Sequence, residues 1–238
     1  MKNIIAIQGF KGSGKDEVAK YINYLLNTPF WMHTYWLAKF LNFQPVWRKW
    51  RITRYADSLK HMLAIMMNVD VKKFEDRDFK EHYCFDFLDY KLLNTNDQQV
   101  LNTISDKSFN RELKRGNLNV AIHYNLTIRQ ILQFFGTDIM RRYFGDELWI
   151  HTTLNSKYNN LIIADQRFII ENLMVSYYKY NTHIIHIVRD GCVAGMHASE
   201  KELEELYQEK KYDILLENNG TLKELFNKCK SITYSYLL

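Results

Sequence analysis

Residues Asn3 to Gln8 form a short apolar run rich in β-branched side chains, a glycine turn follows, and helical spacing then links Val18, Ile22, Leu25 and Leu26. This is a strand–loop–helix unit. Further along, Leu161-Ile162-Ile163-Ala164 and His183 to Val188 have the continuous apolar character of strands buried on both faces, with a helix-period segment from Phe168 to Tyr180 between them. Strands alternating with helices predict an α/β fold whose mainly parallel sheet is covered by helices on both faces.

Helix starts are marked where a hydroxyl residue precedes Glu or Gln by three places: Thr127 with Gln130, Ser199 with Glu202, and Thr221 with Glu224. After Thr127, the apolar Ile128, Ile131, Leu132 and Phe135 face one way, while Arg129, Gln133 and Gly136 fall at helical spacing on another side. One side packs and the other is offered to a ligand. Two stretches do not fit alternating strands and helices. A Trp-rich segment near 28–50 is expected to be an inserted helical piece or subunit contact, and a polar segment near 94–119 an excursion close to the site. No linker or repeat divides the chain, so residues 1–238 are read as a single domain.

Composition narrows the setting. A hydrophobic share of 47% with 25% charged residues belongs to a folded chain. The longest apolar runs are too short to span a membrane, and Met1-Lys2-Asn3-Ile4 leads straight into a strand, so a cytoplasmic protein is expected. Cys84, Cys192 and Cys229 are odd in number and lack C-x-x-C spacing, which argues against a disulfide framework or a zinc site. The net charge of +5 suits an anionic partner, but the cations are spread along the chain, which favours phosphate-bearing small molecules about as well as nucleic acid.

The chemistry begins at Gly9-Phe10-Lys11-Gly12-Ser13-Gly14-Lys15, a G-x-x-x-x-G-K loop between a strand and a helix. Glycines let backbone N–H groups curl around a β-phosphate, the helix N-terminus adds its positive end, and Lys15 spans the β- and γ-phosphates. Asp16 stands where the usual loop has Ser or Thr, as a candidate magnesium ligand or as an acid that favours the helix start. Asp165 ends a buried strand, where open α/β sheets bind ligands; it is read as a Walker-B-type acid or as a helix cap. Arg167 is a candidate phosphate fork.

The loop Gly9 to Asp16, Tyr55-Ala56-Asp57-Ser58-Leu59-Lys60, the run Thr127 to Thr137, Trp149-Ile150, Asp165-Gln166-Arg167-Phe168 with Glu171, and His197-Ala198-Ser199-Glu200 together resemble the deoxynucleoside monophosphate kinases of bacteriophages. The resemblance covers nearly the whole chain, and T-x-R-Q-x-L-Q-x-x-G-T is its most specific part. It implies a P-loop nucleoside monophosphate kinase fold with helical acceptor-binding and lid insertions, transfer from ATP to a dNMP with Mg2+, and a homodimer. It further implies that Gly12, Ser13, Gly14, Lys15, Asp16 and Glu17 meet ATP. Lys11, Arg129, Gly136, Thr137, Trp149, Asp165 and Arg167 would line the acceptor pocket, with Arg129 on the phosphate and Gln133 and Glu171 on base edges. Lys15, Arg129, Asp165 and Arg167 are the expected catalytic set. Trp149 would stack a base or pack in the core, and Arg141, Arg142 and Arg189 are candidate lid arginines.

Two other readings keep part of this picture. One changes the acceptor to dephospho-coenzyme A, phosphomevalonate or another small phosphorylated alcohol. The other is an ATP-dependent nucleic-acid-binding module, against which stands the lack of a concentrated basic stripe.

Overall fold

A computed structural model describes residues 2–44, 49–92, 119–177, 180–195 and 198–237. His197, Trp47 and most of the polar 94–119 segment lie outside the described residues. The contacts divide the chain into two compact units, residues 1–61 with 139–238 and residues 62–138.

The first unit holds a five-stranded sheet in the order β2-β5-β1-β6-β7, built from β1 (Asn3–Gly9), β2 (Arg51–Thr53), β5 (Asn160–Gln166), β6 (Asn181–Val188) and β7 (Ile214–Glu217). Every pairing in it is parallel. The fold is thus α/β with a mainly parallel sheet, as the alternating pattern predicts. Helix α1 (Lys15–Asn27) and the C-terminal helix Leu222–Ile232 lay Val18, Ile22, Leu25, Leu225 and Phe226 onto Ile5, Ile7, Ile162, Ala164, Ile185 and Ile187. β-branched side chains fit this pleated, doubly covered surface, and their burial supplies most of its stability.

The opposite face is less apolar. Parallel register sets Gln8 beside both Gln166 and His186, so three neighbouring strands each direct a buried polar side chain the same way. Helix Ala198–Gln208 and the loop after it cover this row, with Tyr207 stacked on His186 at 4.8 Å and Tyr212 at 5.4 Å. Gln8 donates to the Lys211 carbonyl at 3.1 Å, whereas Gln8 Oε1, both Gln166 amide atoms and both His186 nitrogens have no partner among the described residues.

The second unit carries the C-terminal part of α3 (Ala56–Met66), α4 (Arg77–His82), an antiparallel pair β3 (Cys84–Leu92) and β4 (Asn119–Thr127), and α5 (Ile128–Gln133). The hairpin was not foreseen. Its second strand alternates strictly, with Val120, Ile122, Tyr124 and Leu126 against Ala121, His123, Asn125 and Thr127, and its first alternates with one phase shift at Phe87-Leu88, so the period of two was present in the sequence beside the polar stretch.

The capping boxes at Thr127–Gln130 and Thr221–Glu224 both form. The third does not. The helix begins at Ala198, which puts Ser199 already inside the first turn, and Glu202 instead accepts the backbone N–H of Ile169 at 2.8 Å. Among the described residues no helix is long and apolar enough to cross a membrane.

Burial, with a smaller contribution from the charge of Lys15, lowers the pKa of His186 to about 4. The unfolded chain takes up this proton near pH ~6.5 and the folded chain does not, so this contribution to stability is complete above ~6.5 and is lost as pH falls toward the folded value. Replacing His186 with Phe keeps the ring among Tyr207 and Tyr212 and removes the two orphaned nitrogens. Urea titrations at about pH 7.5 and about pH 5 should show a smaller acid-side loss for His186→Phe than for the parent chain; equal losses would place the sensitivity elsewhere.

Candidate active site

β1 delivers the chain into the loop Phe10–Gly14, and α1 leaves it at Lys15. Gly12 and Gly14 adopt φ of +87° and +98°, the left-handed region that side chains other than glycine's enter at a cost. A Cβ at Gly14 would also collide with Asn218 Nδ2. Asn218 follows β7 and donates to the Ser13 carbonyl at 2.8 Å, so the loop's curvature is braced from the far edge of the sheet.

Lys15 is buried, and its ammonium donates to the carbonyls of Gly9 and, at 2.7 Å, Phe10. Burial, then the charge of Arg167, lowers its pKa to about 8, against the opposing pull of Glu200, Asp16 and Asp165. These groups therefore share one field at the carboxyl ends of β1 and β5.

Asp16 is exposed at the outer rim of α1 and accepts from Arg54 at 2.7 Å. Partial desolvation pushes its carboxyl up, but the Arg54 hydrogen bond and charge, with Lys15 and Lys60, carry it below the ordinary carboxylate value. Glu17, in the same first turn, pairs with Lys20 at 2.7 Å. Lys11 is exposed on the loop and Ser13 is buried within it.

At the end of β5, Asp165 accepts the backbone N–H groups of Tyr55 at 2.8 Å and Ala56 at 3.1 Å. It caps a helix, as one sequence reading allowed, but the helix is the distant α3 rather than the one that follows. Arg167 pairs with Glu200 at 2.9 Å. Glu171 is buried: one oxygen takes Arg141 at 2.7 Å, and the other takes the N–H groups of Arg167 at 2.8 Å and Phe168 at 3.1 Å. Burial raises its pKa to about 7, opposed by Arg141 and those two N–H donors and reinforced by Asp165. Arg141 also lies 3.8 Å over the Phe168 ring.

Several expectations change as a result. Glu171 has both oxygens engaged, so it positions the strand-end turn and is a poor reader of base edges. Arg141 is buried and paired, unlike a lid arginine. Trp149, only 6% exposed, matches the packing alternative better than a stacking platform. Arg189 reaches toward the Gly12 carbonyl at 3.4 Å and stays beside the phosphate loop.

In the second unit, Arg129 pairs through Nε with Glu81 at 2.8 Å and lies one turn before Gln133. The proposed stripe of Arg129, Gln133 and Gly136 assumed a continuous α-helix. The backbone instead widens into a π-helix over Phe134–Arg141, which rotates Gly136 and Thr137 away from that spacing; such widenings are frequent at functional sites. Arg54 and Asn218 join the site without any local signal, because their partners lie far along the chain, and Glu200, part of the His197–Glu200 motif, takes its place as the partner of Arg167.

In Gly14→Ala, both the clash with Asn218 and the left-handed φ oppose the native loop. Calorimetry should show ATP affinity falling by about tenfold or more with circular dichroism unchanged. Adding Asn218→Ala should restore only part of it, since the φ penalty stays; full recovery would mean the contact alone sets the loop.

Residues 3–229 match the family model for deoxynucleotide monophosphate kinase. No curated protein matches. Among solved structures, a dephospho-CoA kinase from Campylobacter jejuni aligns over 98% of this chain and 96% of its own, with 15% identity and a TM-score of 0.34. The family match starts in β1, takes in the phosphate loop, both units and the Asp165–Glu171 turn, and ends within the last helix, so the chain belongs to the deoxynucleotide monophosphate kinase family.

Proposed function

We propose that this kinase transfers the γ-phosphoryl group of ATP directly to the 5′-phosphate of a dNMP, with the loop from Gly9 to Lys15 as its ATP site. The observation that carries this reading is the buried Lys15 ammonium, held on two loop carbonyls within reach of the charge of Arg167. Phosphate oxygens are better partners for that ammonium than carbonyls, and an arriving polyphosphate offsets its desolvation. Backbone N–H groups of Gly12, Ser13 and Gly14 then cradle the β-phosphate, and Glu17 stays at the helix rim.

An acceptor phosphate oxygen attacks the γ-phosphorus, the bond to the β–γ bridging oxygen breaks, and ADP leaves with that electron pair. The acceptor is already ionised near neutral pH, so positioning and charge neutralisation carry the rate. Lys11, Lys15, Arg129 and Arg167 supply cations, and Asp165 and Glu171 hold the turn that bears Arg167. Gln133 is assigned to the base, and Gly136, Thr137 and Trp149 to the walls of the acceptor pocket.

Asp16 suits magnesium because it is an oxygen donor kept ionised by Arg54. Among the described residues no group of three or more His, Cys, Asp or Glu could hold a metal. Phosphate oxygens and water would complete the shell, the arrangement this ion usually takes, and the bound ion would neutralise charge at the β- and γ-oxygens. A homodimer and a bacteriophage origin, which rest on the sequence resemblance, and a cytoplasmic location, which rests on the short apolar runs and the opening strand, complete the proposal.

ADP release should be measured with ATP and magnesium while the four dNMPs, the matching NMPs, dephospho-coenzyme A and phosphomevalonate are offered separately. At least one dNMP should turn over, and Lys15→Ala should lower that rate by about 100-fold or more with the fold retained. Turnover only with a non-nucleotide acceptor would discard the acceptor pocket but keep the phosphate loop.

Gln133→Ala separates base reading from general positioning. Its kcat/KM values should change the ranking among the dNMPs; a uniform drop for every base would remove Gln133 from recognition.

A further inference from the structure

No acidic side chain occurs from residue 18 to residue 56, a span that contains Lys20, Lys39, Arg48, Lys49, Arg51 and Arg54 and four of the five tryptophans. The C-terminal stretch after Glu224 likewise has Lys228 and Lys230 and no acidic side chain. The fold packs these two stretches together: His33 bonds to Tyr234 at 2.6 Å, Lys230 donates to the His33 carbonyl at 2.8 Å, and Phe30 lies 5.6 Å from the Tyr234 ring.

The side chains sort by type on this surface. Leu25 is in the core, and Leu26, Tyr35, Leu41, Phe43 and Trp50 pack against it. Phe30, Trp31, Trp36 and Phe40 are left 71%, 77%, 65% and 84% exposed. Lys39 sits 5.8 Å over Trp36, and Lys230 sits 5.9 Å from Phe30 and 5.6 Å from Tyr234. Planar rings flanked by ammonium groups, with no nearby acidic residue in either stretch, are what a polyanion with unpaired bases requires: stacking faces and phosphate counter-charges.

We propose that this aromatic–cationic face of the first unit binds single-stranded nucleic acid at a site apart from the phosphate loop. A second copy docking through the same face would bring no acidic side chain from either stretch to Lys39 or Lys230. An anionic membrane would also accept exposed rings beside ammonium groups, and the vesicle measurement below separates it from nucleic acid.

Fluorescence anisotropy of fluorescein-labelled oligothymidylate with the full chain at low salt tests the proposal. Saturable binding is expected, weakening with salt by a log–log slope of about −0.7 per phosphate contacted. Duplex DNA should compete poorly. Trp31→Ala and Trp36→Ala should each weaken binding by about tenfold, and Lys39→Glu should weaken it and flatten the salt slope, all with unchanged dNMP kinase rates and melting curves.

The proposal is overturned by absent binding, by binding indifferent to Trp31 and Trp36, or by binding that ATP or Lys15→Ala abolishes, which would put the oligonucleotide in the kinase site. It also fails if Trp36 governs attachment to phosphatidylserine vesicles, or self-association in sedimentation, while DNA is ignored. Because kinase turnover is read separately, failure here leaves the dNMP reading intact.

Discussion

Lys15 keeps a positive charge out of water at the end of a central strand, and the polar structure around it is built to tolerate that charge. Its own hydrogen bonds go to Gly9 and Phe10 carbonyls, which neutralise nothing. The carboxylates that could neutralise it are each engaged elsewhere: Asp16 on Arg54, Asp165 on two backbone N–H groups, Glu200 on Arg167. The field at Lys15 is therefore mixed, with Arg167 opposing its charge and three acids supporting it. A dominant carboxylate partner would have satisfied the ammonium and made it a weaker ligand for phosphate. Glycines are needed in this loop, because a Cβ at Gly9 would press on the Ile187 carbonyl and Ser13 Oγ, and one at Gly14 on Asn218.

The turn after β5 is the second constraint. Asp165 fixes the start of α3, and Glu171 gathers Arg141 and two N–H groups of the turn itself. A buried Arg–Glu pair gives weak net stability, since desolvation consumes most of the attraction, but it enforces geometry. Arg167 inherits that geometry, as its backbone N–H is held by Glu171 and its guanidinium by Glu200.

Local patterns exposed in the sequence are those whose meaning is complete within a few residues. The strand, loop and helix around Lys15 are of this kind, as are the caps at Thr127 and Thr221. Asp165 is different: its position at a strand end was readable, but the chain it holds lies 110 residues earlier for Tyr55. Glu171 carried a plausible role in base recognition because nothing local announces Arg141 as its partner. Ser199 and Glu202 had the right spacing for a cap, but the helix starts one residue earlier at Ala198, and Glu202 accepts the Ile169 N–H. The widening at Phe134–Arg141 is likewise set by packing, because the Phe-Phe-Gly-Thr sequence gives ordinary helical spacing to the eye.

Two segments distant in sequence meet at the Asp165–Glu171 turn. The chain leaves the first unit along α3, whose first N–H groups rest on Asp165, and returns through the π-helix, whose last residue, Arg141, rests on Glu171. Both tethers meet at one turn of β5, next to the arginine assigned to phosphate. Charged, buried tethers suit this purpose better than apolar contacts, because a shifted carboxylate loses directional bonds at once, whereas packed methyl groups slide with little penalty. The cost of burying Glu171 and Arg141 is thus understandable as the cost of fixing the turn that carries Arg167 at the phosphate-binding end of the sheet.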